Sequence, residues 1–289
     1  MKQILKLPLF ILVIIFLTSC SNSNIRTTGS QIPEKKTSIS NVPTHNSSSR
    51  SITTLDYSLN AILWQQKSGE YTALCYQAFS MAKLKLNEKI KAHKKEGLKL
   101  AIVTDIDESV LDNSPQQAFD ILHNTTYSEK SWLDWTNRAQ AGALPGAVSF
   151  FQWADKMGVQ CFYLSNRAFK ERTSSIKNLS DVGFPQADTI HVIMKDSSAN
   201  KESRREKIRS KYSVALLIGD NLNDFDKMFY KQSWLTRCNL VRDNSEMFGD
   251  IFIVLPNAGY GDWESAIYDG KKLSPAEADK AKHEALISY

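Results

Sequence analysis

The sequence predicts an α/β fold, a parallel sheet flanked by helices with a smaller helical cap subdomain. Three observations predict it: five short apolar runs, their alternation with helical segments, and the polar groups placed where the runs end. The runs are LKLAIVTDID, VQCFYLSN, TIHVIMK, SVALLIGD and DIFIVLP. Short apolar runs bounded by turn residues fit strands buried on both faces. Strands that alternate with helices are joined by right-handed crossovers into one parallel sheet. The chain of 289 residues is long enough for a sizeable core, and 42% apolar with 23% charged residues is ordinary globular composition.

The first element is not part of that sheet. Lys2 and Lys6 precede LPLFILVIIFL, which is too short to span a bilayer and reads as a secretory signal over residues 1–19. Its end, Leu17-Thr18-Ser19-Cys20, resembles a bacterial lipobox, which implies cleavage before Cys20 and lipidation of that cysteine. Ser21 follows where an aspartate often retains lipoproteins at the inner membrane, so a lipid anchor in the outer membrane of a Gram-negative bacterium is expected. Loss of two lysines with the signal lowers the formal charge from +5 to +3. Residues 20–50 are rich in Ser, Thr and Asn and too poor in apolar groups to offset their ordering entropy, so they read as a disordered tether.

The folded domain is expected over 51–289, with the helical cap drawn from about 51–96 and 113–143. Helical spacing from Ser51, broken near Ser68-Gly69, predicts two helices, the second ended by Gly97. LKLAIVTDID is the first strand, and residues 115–142 are mostly helical. Pro145 opens a helix that Gly158 closes, and VQCFYLSN follows as a strand. FKERTSSIKNLSDVG is the next helix. The three remaining strands come after it, and Ser274, Pro275 and Glu277 start a terminal helix with a capping box. Cys75 and Cys161 read as small buried hydrophobes, with a single disulfide among Cys75, Cys161 and Cys238 left open. No CxxC spacing is present, nor any GxSxG, P-loop or paired-histidine pattern.

Ligands of open α/β sheets bind outside the carboxyl ends of the strands. The first strand ends in Asp105 and Asp107, the second in Ser165 and Asn166, and LLIGD ends in Asp220 with Asp224 four residues on. Carboxylates crowded there would repel one another without a cation, and hard oxygen ligands suit Mg²⁺. A carboxylate nucleophile can attack phosphorus and form an acyl phosphate, and Asp105 stands where that is expected. Asp107, two residues along an extended strand, points to the same side. It is expected to protonate the leaving alcohol and then activate water. Ser165, Asn166 and Lys201 are expected to hold the phosphoryl oxygens. Asp220 is expected to bind the metal directly, with Asp224 acting on it directly or through a water.

DIDESVLDNS, SNR from Ser165 to Arg167, NKESRRE and GDNLNDF together resemble the four motifs of the haloacid dehalogenase (HAD) superfamily. More closely they resemble its class C acid phosphatases, bacterial surface lipoproteins that dephosphorylate nucleotides. The resemblance runs from about Trp64 to Tyr268. It implies a HAD-like Rossmannoid sheet and a Mg²⁺-dependent acid phosphatase and 5′-nucleotidase. It also implies metal ligation by Asp105, the backbone carbonyl of Asp107, and Asp220. DSSANK carries an insertion relative to the family's third motif. Lys201 is assigned over Lys195 because Glu202, Arg204 and Arg205 follow it as in the family. Asn223 replaces an acid common in the fourth motif. Trp132 and Tyr260 are the expected substrate-binding aromatics, since stacking adds about 1–3 kcal/mol per base. Asp112 and Asn113 read as residues that brace the turn.

Nucleotides and related phosphate monoesters are the expected substrates, and homodimerisation is left open. Scattered lysines and arginines show no nucleic-acid footprint. Two readings compete: a non-catalytic surface lipoprotein that binds haem or a host ligand, and a phosphotransferase using the same residues.

Overall fold

Five parallel strands form the central sheet, in the order β5-β4-β1-β6-β7. The computed structural model describes residues 54–93 and 97–289, all within the compact unit Ser51–Tyr289. The signal segment, Cys20 and the tether lie outside the described residues.

The chain begins with α1 (Thr54–Lys67) and α2 (Gly69–Ala92), then enters β1 (Leu100–Thr104). Next come β2 (Leu111–Asp112), α3 (Ser114–Leu122), α4 (Glu129–Arg138) and β3 (Gly142–Ala143). The next crossovers use α5 (Ala147–Lys156), β4 (Gln160–Leu164), α6 (Arg172–Asp181) and β5 (Val192–Ile193). They are followed by α7 (Glu202–Arg209), β6 (Ser213–Gly219), α8 (Trp234–Asp243) and β7 (Phe252–Val254). Two helices, α9 (Asp262–Ala266) and α10 (Pro275–Glu284), end the described chain, and α10 opens on the Ser274–Glu277 capping box.

Side-chain alternation along the strands divides the core into two layers. Ile102, Cys161, Tyr163, Leu216, Ile218 and Ile253 face one side, with Tyr71, Phe79, Phe150 and Phe151 from α2 and α5. Ala101, Val103, Phe162, Leu164, Leu217 and Phe252 face the other, with Ile208, Phe225 and Phe229. Period two in each strand feeds both layers, which is why the runs are apolar throughout. Register then sets the site: Thr104 pairs with Tyr163 and Ile218, and Gly219 pairs with Val254. Asp105, Ser165, Asp220 and the loop after Val254 therefore share one edge.

Several elements differ from expectation. Residues 51–96 do not all belong to the cap. The α2 stripe Tyr71, Cys75, Phe79, Ala82 and Leu86 is buried in the sheet's own core, so α2 is a layer helix. Spacings of three and four residues put these side chains on one face, and that face finds the sheet. The break before α2 is a cap, Ser68 accepting from Tyr71 N at 3.0 Å. Gly97 does not end α2, because His93 already turns extended at φ −73° and ψ 129°. Pro145 likewise precedes α5 by two residues, with Gly146 at φ 85° between them. The cap segment 113–143 is closed at its base by a pairing the sequence did not reveal, β2 antiparallel to β3. Cys75 and Cys161 are buried, Cys238 is exposed, and all three are free thiols.

Candidate active site

The carboxyl edge of the sheet opens into a cleft of about 640 Å³, with α3, α4 and the loop after β7 around it. Asp105, Asp107, Asn166, Lys201, Asp220, Asp224, Trp132 and Tyr260 all line it, and so does Lys195. Ser165 does not: it is fully buried beneath the cleft, its Oγ accepting from Arg167 N at 3.0 Å and lying 3.3 Å from Asp107 Oδ2.

Asp105 is fixed by its backbone, whose N–H donates to Ile218 O at 3.0 Å and so extends the ladder one residue past β1. Lys201 Nζ stands 2.6 Å from Asp105 Oδ1 and 2.6 Å from Asp224 Oδ1. Lys195, by contrast, is exposed and makes its backbone bond to Arg167 O. Asp224 is anchored twice more, by Asn221 N–H to Oδ2 at 3.0 Å and by Arg205, which donates to the carbonyls of Asn223 and Asp224. Such closeness requires Gly219, since a Cβ there would lie 2.4 Å from Asp224 Cβ. Asp220 accepts from Ser109 Oγ at 3.0 Å and from Asn257 Nδ2 at 2.8 Å.

Electrostatics in this cluster are unbalanced. Burial pushes the Asp105 carboxyl well above the usual carboxylate range; Lys201 opposes that shift, while Asp224, Asp220 and Asp107 add to it. Burial and then Asp224 push Asp220 up to about 7. Burial works against the charge on Lys201, but Asp105 and Asp224 hold its pKa above lysine's usual value. One ammonium therefore serves Asp105 and Asp224, and among the described residues Asp220 has no ion-pair partner. Asp105, Asp220 and Asp224 each offer a ligand oxygen within 4.8 Å of the others. Asp105 Oδ1 is buried and, although beside Lys201, accepts no well-directed hydrogen bond. An all-oxygen donor set with three carboxylates sharing one ammonium fits a hard divalent cation.

Asp107 is held differently. Arg167 donates to its Oδ1 from Nε at 3.0 Å and Nη2 at 2.7 Å, and Asn113 Nδ2 donates at 2.9 Å. Sequence reasoning assigned Arg167 no role, although it stands third in the SNR motif. Asn113 was expected only to brace a turn, yet it links Asp107 to Trp135, whose Nε1 donates to Asn113 Oδ1 at 2.9 Å. Asp112 does brace the turn, accepting from Ser114 N at 2.9 Å and from Gln65 Nε2 at 2.8 Å. Asn166 donates to Ala199 O at 3.0 Å and accepts from Arg204 at 2.7 Å.

Trp132 stands over the Arg167 guanidinium, 5.6 Å from it, with Tyr127 beside it. Tyr260 reaches the cleft from the loop after β7, and its hydroxyl donates to Glu108 Oε2. Glu108 is fully buried, adopts φ 53°, and also accepts from Asn113 N at 2.8 Å. Burial, then Asp107, raises the Glu108 carboxyl well above the usual range. No periodicity signal could have found Glu108, because its partner lies 152 residues away.

The family described as HAD superfamily, subfamily IIIB (Acid phosphatase), matches residues 21–263. The class C acid phosphatase from Bacillus anthracis with tungstate bound is 42% identical, covering 82% of this chain and 100% of that one, with a TM-score of 0.79. A second structure of the class C acid phosphatase from Bacillus anthracis, also 42% identical, has a TM-score of 0.78 and covers 81% of this chain and 98% of that one. The stem 31 kDa glycoprotein of Glycine max is 26% identical over 125 residues, 41% of this chain and 49% of that protein. The chain thus spans about half the length of the first curated relatives it matches.

Proposed function

Because the chain belongs to the acid phosphatases of the HAD superfamily, subfamily IIIB, we propose that it hydrolyses phosphate monoesters, 5′-nucleotides among them, through an aspartyl phosphate on Asp105. The observation that carries this reading is the convergence of Asp105, Asp220, Asp224 and Lys201 at the sheet edge, with Lys201 2.6 Å from two of the carboxylates. The tungstate in the Bacillus anthracis protein is a tetrahedral oxyanion, in keeping with a phosphoryl site there.

In the first step an Asp105 oxygen forms a bond to phosphorus as the bond to the leaving oxygen breaks. Asp107 delivers the proton that the leaving oxygen takes up. In the second step water attacks the same phosphorus, gives its proton to Asp107, and releases Asp105 and inorganic phosphate. The acceptor geometry of Asp107, braced by Arg167 and Asn113, suits that second proton transfer. Lys201 offsets charge on Asp105 and on the phosphoryl oxygens. Mg²⁺ would be held by Asp105, Asp220 and Asp224 with the Asp107 carbonyl, and would supply charge neutralisation for an anionic ester. We read Trp132 and Tyr260 as the walls that receive the leaving group. Cys20 we read as the lipid-bearing residue that holds the enzyme at the outer membrane.

Replacing Asp105 with Asn keeps the shape and removes the nucleophile. Magnesium-dependent hydrolysis of p-nitrophenyl phosphate should be lost while the melting temperature is kept. Undiminished turnover by that variant would sink the mechanism.

A further inference from the structure

Glu108 is a buried acid that the proposed chemistry does not use. It does not line the cleft, so it cannot touch a substrate. Its two oxygens are nonetheless committed, one to Asn113 N and one to the hydroxyl of Tyr260. Tyr260 sits in a loop with a second anchor near its start. Asn257 Nδ2 donates to Asp220 Oδ2 at 2.8 Å, and Asn257 Oδ1 accepts from Gly259 N at 2.9 Å and Tyr260 N at 3.4 Å. Trp263 Nε1 closes the turn on Tyr260 O at 3.1 Å. The loop is thus pinned at its backbone through Asp220 and at the tip of its aromatic side chain through Glu108. Tyr260 remains 37% exposed even though its hydroxyl is engaged, and it lines the cleft.

We propose that Glu108 is a positioning residue that fixes the Tyr260 ring as a wall of the cleft and so sets its preference for leaving groups with a flat aromatic face. This rests on the hydrolase reading for the substrate, but the positioning itself does not. A ring free to rotate about χ1 must lose that freedom on stacking, whereas a tethered ring has lost it already. The hydroxyl tether fixes the direction in which the ring points, which van der Waals packing of a half-exposed side chain would not.

Adenosine is the probe, because it offers an aromatic face and no phosphate. Its Kd is measured calorimetrically on the full chain for wild type, Tyr260→Phe, Glu108→Ala and the double variant. Tyr260→Phe keeps the ring and removes only the tether, so it keeps the test open should Glu108→Ala fail to fold. Each single variant is expected to raise Kd about tenfold, and the double variant no further. A Kd for Tyr260→Phe within about twofold of wild type overturns the proposal, as do additive losses in the double variant. Wild type that does not bind adenosine overturns it as well. Wild type that binds adenosine but releases phosphate from no ester defeats the hydrolase reading alone.

Discussion

Asp224 is placed by an absence, the missing side chain of Gly219. A Cβ there would overlap the Asp224 side chain, so Gly219→Ala must displace Asp224 or the end of β6 and disturb the Asp224–Lys201 pair. A displacement of this kind at a reacting centre costs about a hundredfold in rate. Steady-state kinetics on Gly219→Ala should show that loss in kcat, and an unchanged kcat would mean that Asp224 need not be where it is. Asp220 supports a second prediction, on pH. Its folded-state pKa of about 7 lies above the ordinary aspartate value, so its stabilising contribution is complete below that ordinary value. It is lost as pH rises through the folded value, because the ionised form is the one that burial disfavours. In chelator the melting temperature should therefore fall between about pH 4 and about pH 7. Added Mg²⁺ should restore it at the upper end, and a profile that is flat and insensitive to Mg²⁺ would contradict the electrostatic account.

At the scale of elements, α2 belongs to the sheet. Phe79 is buried on α2 with its ring 5.7 Å from Phe150 and 6.5 Å from Phe151 of α5, so it joins the two helices over the sheet. Phe79→Ala should cost about 3–5 kcal/mol in urea unfolding, since the cavity cannot collapse between two helices and a sheet. A cost under about 1 kcal/mol would show that α2 packs as a detachable cap instead. The cap proper is the segment between β2 and β3. Its base is a two-residue pairing, Leu111 with Ala143 and Asp112 with Gly142. Aromatic and charged groups of α4 can thus stand over the strand ends without contributing to the sheet.

At the scale of the whole molecule, no described helix is long and apolar enough to cross a membrane. Attachment, on the reading proposed above, comes through Cys20 and its lipid. Each buried methylene of such a chain contributes about 0.8 kcal/mol, so several chains hold firmly. Cys20→Ala should abolish incorporation of labelled palmitate and leave the protein as an unlipidated precursor. Undiminished labelling of that variant would count against the lipobox.

The class of fold and the strand ends were legible in the sequence, because a parallel sheet buried on both faces writes its strands as unbroken apolar runs. Four short motifs after those runs carried the likeness to the family. The residue that ends each run is then legible from local order alone. Asp105, Asp107 and Asp220 were read in this way, Asp224 by its spacing from Asp220, and Lys201 was chosen over Lys195 by the residues that follow it. The partners emerge only in the folded chain: Arg167 and Asn113 on Asp107, Ser109 and Asn257 on Asp220, and Glu108 on Tyr260. The fold also assigned α2 to the core, since an amphipathic stripe records that a face is buried but not against what. Those contacts join residues separated by up to 152 positions. A hydrogen bond between distant segments leaves no period in either of them, so it exists only once the sheet has brought its strand ends together.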